Sequence, residues 1–280
     1  MEVEIRARLG SVAKKLGLEP PEAVPATDSE VTSAFEPTIS VILPVHNDAR
    51  FVDMAIRSVI GQSYERWDCI VVDDASSDGS WERIVSAAGG DTRFHLIRNE
   101  TNLGPGAARN VALADARGEY LVFLDGDDLM MAASLSDRVD ALRPHVGDPS
   151  VIGSFCGVRF AGEDIDLADL AEHYRSTQPA FVDFVVADGE VPFPMTAPLV
   201  VTERIRAVGG LDPSMTSGGV DWDLWYRILR NGHVFVSTPF QSVVYRQKAG
   251  GITRGRPARH TQAAARLIRA AYQPADPGIM

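Results

Sequence analysis

Tyr120-Leu121-Val122-Phe123-Leu124-Asp125-Gly126-Asp127-Asp128 runs from apolar to acidic within nine residues. Its five leading residues are apolar, with aromatic and β-branched members, and read as a strand buried on both faces. The run then breaks into a carboxylate, a glycine and two more carboxylates. Acids gathered at the end of a buried strand are costly unless something neutralises them. A divalent cation does so, taking carboxylate oxygens while leaving positions open for phosphate oxygens. Glycine between the acids lets the backbone approach a ligand closely. An acidic turn that merely caps the next helix fits the same letters, so the neighbouring segments have to decide.

Upstream, Ile39 to Pro44 reads as a short buried strand, followed by the polar loop Val45-His46-Asn47-Asp48, which doubles as a helix cap. Phe51, Val52, Ala55, Ile56, Val59 and Ile60 give a helix with a wide apolar face, ended by Gly61. Cys69 to Val72 is a second strand, running into Asp73-Asp74 and a turn that caps a helix over Ser80 to Ala88. Phe94 to Ile97 is a third strand. The loop Asn102 to Gly106 leads to a small-residue helix from Ala107 to Ala116 that carries Arg109. Strands alternating with helices at this spacing imply βαβ units and a mostly parallel sheet. Ligands of such sheets bind outside the carboxyl ends of the strands. Pro44/Asn47, Asp73/Asp74 and Asp125/Asp127 are therefore expected to converge on one edge.

Downstream, Leu135, Val139 and Leu142 mark a helix, and Val151 to Phe160 a strand. Ala161 to Glu190 is acidic and less regular. Leu199-Val200-Val201 is followed by a short helix from Thr202 that ends at Gly209-Gly210. A glycine-rich loop precedes a helix over Asp221 to Leu229. Val234-Phe235-Val236 and Val243 to Arg246 read as two late strands, and Gly250-Gly251-Ile252-Thr253 as either a mobile lid or a surface hairpin. A helix is expected in Met1 to Leu18, then a proline-marked linker, and a last helix over Ala263 to Ala271.

The chain has 280 residues and a net charge of −11, which argues against a nucleic-acid partner. Cys69 and Cys156 lie in apolar runs and read as buried free thiols, which suits a reducing cytoplasm. Met1 to Leu18 lacks the apolar segment of a signal peptide, and no run approaches the length of a membrane span. A cytoplasmic protein, able to work peripherally at a membrane, is expected.

Ile39 to Asn47, Val71 to Ser80, Asn102 to Asn110, Asp125-Gly126-Asp127-Asp128, and Gly209 to Asp212 with the Asp221 helix resemble, in order, the signatures of the family 2 glycosyltransferases. The resemblance runs from about Pro37 to Thr253. It implies the GT-A fold, an α/β architecture with a Rossmann-like, mostly parallel central sheet flanked by helices. Its domain would span 37–255, with a donor half over 37–128 and an acceptor half over 129–255, between an N-terminal helix and linker (1–36) and a helical tail (256–280).

The activity implied is transfer of one sugar, with inversion, from a nucleotide-diphosphate donor to an acceptor hydroxyl. Pro44, Val45, His46 and Asn47 would line the nucleoside pocket. Asp74 would accept from the base's ring N–H, which favours a UDP-sugar. Arg109 would sit near the base or the diphosphate; a solvated helix arginine is its other reading. Asp125 with Gly126 would face the ribose, Asp127 would bind Mn²⁺ or Mg²⁺, and Arg246 and Thr253 would touch the diphosphate. Asp221 would be the general base, at a helix start where a carboxylate also serves as a cap. Asp223 should point elsewhere.

Val220 stands where the family often has an acid, and the Q-x-x-R-W signature of processive synthases is absent, so a single addition is expected. A sugar-nucleotide nucleotidyltransferase would need a glycine-rich basic loop after the first strand, where Pro44-Val45-His46-Asn47 stands instead. A non-catalytic nucleotide-sugar or carbohydrate-binding module would not need Asp221. A homodimer through the terminal helices is open.

Overall fold

The computed structural model describes residues 35–163, 194–215, 219–229 and 233–248. The readings of the N-terminal helix and linker, the Ala161–Glu190 stretch beyond residue 163, the Gly250–Thr253 loop and the tail lie outside those residues. The strands are β1 (Ile39–Val45), β2 (Trp67–Asp73), β3 (Phe94–Arg98), β4 (Tyr120–Phe123), β5 (Leu129–Met130), β6 (Val151–Ala161), β7 (Pro198–Val201) and β8 (Val234–Arg246). The helices are α1 (Val52–Ile60), α2 (Ser80–Ala88), α3 (Pro105–Asp115), α4 (Ser134–Leu142), α5 (Thr202–Ala207) and α6 (Val220–Leu229). All eight strands form one sheet in the order β3-β2-β1-β4-β7-β6-β8-β5. The first four in that order pair in parallel, while β7 is antiparallel to both β4 and β6.

Alternation along β1 explains the two-sided core. Val41, Leu43 and Val45 join a cluster with Val52, Ile56 and Val59 of α1, Ile84 of α2 and Leu135 of α4. Ile42 faces the other way, with Ala108 and Ala112 of α3 and Leu224 and Trp225 of α6. The period of two sends successive side chains to opposite layers, so both faces are covered and β1 reads as a continuous apolar run. The sheet passes without a break from the expected donor half into the acceptor half.

The chain order turns around β1, which lies between β2 and β4. That reversal is where an open α/β sheet leaves a crevice at its carboxyl edge. The loop after β1 and the Asp125–Asp128 turn after β4 flank it.

Two elements differ from the sequence reading. The two late strands are one, β8, paired with β6 through register shifts between Phe155 and Val158. Pro239 falls within this irregular stretch, where the ladder tolerates the missing N–H. β5 has two residues, too few to show any period, yet it pairs with Val243 and Val244 of β8. It pins the far end of the acidic turn.

Gly118, just before β4, leaves no room for a side chain. A Cβ there would lie 2.3 Å from Ser40 N and 2.6 Å from Tyr120 O. Gly118→Ala is expected to destabilise the fold by about 2–3 kcal/mol, read as a lower urea midpoint with an unchanged slope.

Candidate active site

The loops after β1 and β2 are zipped together by their own polar groups. Asp74 N donates to Val45 O at 2.8 Å, and Asn47 N to Ser76 Oγ at 3.0 Å. Ser77 N donates to Asn47 Oδ1 at 2.9 Å, Asp48 N to Ser80 Oγ at 2.9 Å, and Ala49 N to Asp78 Oδ2 at 3.0 Å. Asn47 and Ala75 both take a left-handed backbone, with φ of 56°. That costs a non-glycine residue roughly 1 kcal/mol, which the zip offsets. Burial alone would raise the Asp78 carboxyl, but the Ser80 hydroxyl and the Ala49 and Ser80 N–H groups outweigh it and hold it below the usual range. Its contribution to loop order is therefore full at neutral pH and lost as pH falls through that lowered value. Asp78→Asn is expected to lower Tm by a few degrees, roughly 2–5 °C, with the difference from the parent chain shrinking as pH falls; calorimetry across pH checks it.

His46 Nδ1 lies 2.7 Å from Asp74 O. Its Nε2 faces two amide groups, Asn102 Nδ2 at 2.9 Å and Asn47 Nδ2 at 3.1 Å. That network assigns the proton to Nδ1 and leaves Nε2 accepting. Asp74 is 3% exposed, and its carboxylate accepts from Asn99 Nδ2 at 2.8 Å, Leu103 N at 2.9 Å and Gly104 N at 2.9 Å. These three bonds order the 99–104 loop and leave acceptor capacity on the carboxylate, which has about four lone-pair sites. Beside it opens a cleft of about 410 Å³ lined by Ala75, Ser76, Arg98, Asn99 and Glu100. Arg98 and Asn99 went unnoticed in the sequence, although β3 should end on the same edge as its neighbours.

Arg109 is not a solvated helix residue. It is 5% exposed and forms an ion pair with Asp125 through its Nη2, while Nη1 donates to Pro105 O at 3.1 Å. Asp125 is the more open partner, with 30% of its side chain exposed. Gly126 packs tightly, since a Cβ there would meet Asp48 Oδ2 at 3.2 Å, Val45 Cγ2 at 3.3 Å and Pro44 O at 3.4 Å. Pro44 and Val45 thereby support the turn, with Pro44 half-buried and Val45 buried.

Asp127 and Asp128 are crowded carboxylates. Burial and then the Asp125 charge push Asp127 up, and Lys248 and its hydrogen bond pull it part of the way back. Burial, Asp125 and Asp127 hold Asp128 well above the usual range. Asp128 Oδ1 accepts from Arg246 N at 2.9 Å, while its Oδ2 is buried with no partner among the described residues.

Arg246 was expected at the diphosphate. It is 3% exposed, donates from Nε to Asp127 O at 2.8 Å and from Nη1 to Glu163 O at 2.6 Å, and lies over the Phe51 ring. It braces the acidic turn from behind. The cation that faces Asp127 is Lys248, whose Nζ is 2.9 Å from Asp127 Oδ2 and 2.5 Å from Asp48 Oδ1. Asp48 was read as a helix cap, but it is the Asp48 carbonyl that accepts from Phe51 N and Val52 N. Its carboxylate goes to the crevice.

Asp221 lies in the first turn of α6, half-buried, and its Oδ1 accepts from Trp222 N at 3.0 Å. Burial raises its carboxyl; the Trp222 N–H and Arg109 pull it down, and Asp125 pushes it up again. It therefore shares one electrostatic centre with the Arg109–Asp125 pair. Asp223 points elsewhere, paired with Arg227 at 2.5 Å, and Arg227 also holds Val208 O and Gly210 O. Trp225 is core, edge-on to Phe123 and Phe235.

The donor set fits a hard divalent cation. Carboxylate oxygens crowd one turn, a buried carboxylate oxygen lacks a partner, and an ammonium is seated against Asp127. Among the described residues no group of three or more His, Cys, Asp or Glu side chains is arranged to hold a metal by itself. Further oxygens, such as those of a diphosphate, would complete its coordination.

A Rossmann-like sheet with its carboxylates gathered at the switch-point crevice has the architecture of the GT-A glycosyltransferases, and the solved structures bear this out. The mannosyltransferase PcManGT of Pyrobaculum calidifontis, in complex with GDP-Man and Mn²⁺, superposes with a TM-score of 0.65 at 20% identity, covering 98% of this chain and 77% of that one. S. aureus TarS with UDP-GlcNAc gives a TM-score of 0.64 at 19% identity, covering 85% and 67%. The model of Glycosyl transferase family 2 matches residues 40–180, and the chain belongs to that family.

Similar proteins include the putative teichuronic acid biosynthesis glycosyltransferase TuaG of Bacillus subtilis, 33% identical over 130 residues, which cover 46% of this chain and 50% of the relative. Another is the Escherichia coli UDP-Glc:alpha-D-GlcNAc-diphosphoundecaprenol beta-1,3-glucosyltransferase WfgD, 35% identical over 104 residues, covering 37% and 40%. The chain spans half or less of the length of these curated relatives. No helix among the described residues is long and apolar enough to cross a membrane.

Proposed function

We propose that this chain is an inverting glycosyltransferase that moves one sugar from a nucleotide-diphosphate donor, a UDP-sugar, to an acceptor hydroxyl by direct displacement. The observation that carries the reading is the position of Asp221. A carboxylate contributed by α6 shares one charged centre with Arg109 and Asp125, which belong to the nucleotide side of the crevice.

In this reading the nucleoside lies over the zipped loops, between the Pro44–Asn47 segment and the cleft beside Ala75, Arg98 and Asn99. Asp74 shapes that pocket through the 99–104 loop and would accept from the base's ring N–H. Arg109 orients Asp125 toward the ribose. Asp127 would hold Mn²⁺ or Mg²⁺, with Arg246 bracing its backbone. A metal bound there supplies positive charge against the diphosphate. The acceptor oxygen attacks the anomeric carbon, and its proton passes to the Asp221 carboxylate. The bond from that carbon to the diphosphate oxygen breaks, and the nucleoside diphosphate leaves with the electron pair. Burial suits Asp221 to this task, since a raised carboxyl is a stronger base than an exposed one.

Residues 37–128 thus serve the donor and 129–255 the acceptor. The names of TuaG and WfgD favour a saccharide acceptor, in WfgD's case carried on a lipid diphosphate. That suits a cytoplasmic protein working at a membrane surface. The test is NMR of the product formed from an α-linked UDP-sugar. A β-linked product supports direct displacement with one base, and an α-linked product contradicts it.

A further inference from the structure

Asp48 and Asp127 approach the crevice from its two sides, one after β1 and the other after β4. The contact is close: a Cβ on Gly126 would lie 3.2 Å from Asp48 Oδ2. Between the two carboxylates sits one cation, the Lys248 ammonium, 2.5 Å from Asp48 Oδ1 and 2.9 Å from Asp127 Oδ2. The ammonium also lies 5.5 Å from the centroid of the Phe51 ring, which carries Arg246 at 4.7 Å. Burial alone would lower the Lys248 ammonium, yet Asp127 and Asp48 hold it above its usual range.

An ammonium and a divalent ion cannot share these oxygens, since like charges a few ångströms apart repel strongly in a partly buried site. We propose that Lys248 is an internal counter-ion that holds the cation position between Asp48 and Asp127 in the donor-free chain, and that a divalent cation must displace it, taking Asp48 as its second carboxylate. This rests on the reading of Asp127 as the metal ligand and adds Asp48 and Lys248 to it. Such an arrangement offsets one of the two negative charges when no donor is present. It also couples metal entry to the arrival of the diphosphate, since the divalent ion would take over the ammonium's charge and the diphosphate would add ligand oxygens that the two carboxylates do not supply.

The experiment is Mn²⁺ titration followed by the electron paramagnetic resonance signal of the free aqua ion, with and without UDP. The parent chain should bind Mn²⁺ weakly alone and far more tightly with UDP. Lys248→Met should tighten binding without UDP by at least about tenfold, while Lys248→Arg, which keeps the charge, should stay near the parent. Adding Asp48→Asn to Lys248→Met should erase the gain. If Lys248→Met binds no tighter than the parent while the parent still binds with UDP, the counter-ion proposal fails and Asp127 as a ligand survives. If the gain persists in the double variant, Asp48 is not the second ligand. If no form binds Mn²⁺ even with UDP, the proposal and the metal reading fall together.

Discussion

Asp221→Asn is expected to lower turnover by about 10²–10⁴-fold, the contribution of a positioned general base, with UDP and Mn²⁺ binding unchanged. Asparagine keeps the side chain's size and its carbonyl acceptor for Trp222 N but cannot take a proton. The acid limb of the pH–rate profile should lie above the ordinary carboxylate value of about 4, because burial raises the Asp221 carboxyl. Turnover then falls as pH drops through that raised value, and the limb should be missing from the residual activity of the variant. Stability moves the other way. A carboxyl raised in the fold costs nothing below its unfolded value; the cost grows as pH climbs through the folded one and is full above it. Asp221→Asn should therefore melt slightly higher than the parent at neutral pH and level with it in acid. An inactive variant that is also the more stable one would locate the loss in chemistry. Near-normal turnover at neutral pH would remove Asp221 from the role of base.

Asp127→Ala should act on binding where Asp221→Asn acts on chemistry. It takes away one of the two carboxylates that hold the Lys248 ammonium, and with it the proposed anchor for Mn²⁺ or Mg²⁺. The metal-dependent gain in nucleotide affinity should be lost, and turnover should fall by several orders of magnitude, since the departing diphosphate loses its positive partner. Metal-independent binding of UDP should persist, because the zipped loops and the Arg98–Asn99 cleft do not include Asp127. Calorimetry with and without metal separates the two parts. A variant that kept its metal-dependent gain would move the metal to other ligands.

Much of the fold was readable because its strands are buried on both faces. Such runs stand out without any periodicity, as in Ile39–Leu43 and Tyr120–Phe123, and α2 was bounded at Ser80 and Ala88 by its turn residues. The late strand was split in two because only Val234–Val236 and Val243–Arg246 stand out as strand-like runs, and the register shift that joins them leaves no mark in the letters. At the site, residue type and position were legible, but where each side chain spends its hydrogen bonds was not. Asp74 and Arg246 were read as ligand binders by chemistry, and the backbone groups that both also hold are brought near only by the folded loops. Asp48 and Lys248 carried the weakest signal. They are 200 residues apart, and each is an ordinary charged residue among polar neighbours.

Isothermal titration of UDP, GDP and dTDP, each with and without Mn²⁺, against the parent chain and Asp127→Ala bears most directly on the account as a whole. The prediction is tight, Mn²⁺-dependent binding of UDP by the parent, with the metal-dependent part gone in Asp127→Ala. Failure of all three nucleotides to bind the parent with Mn²⁺ present would contradict the donor site itself.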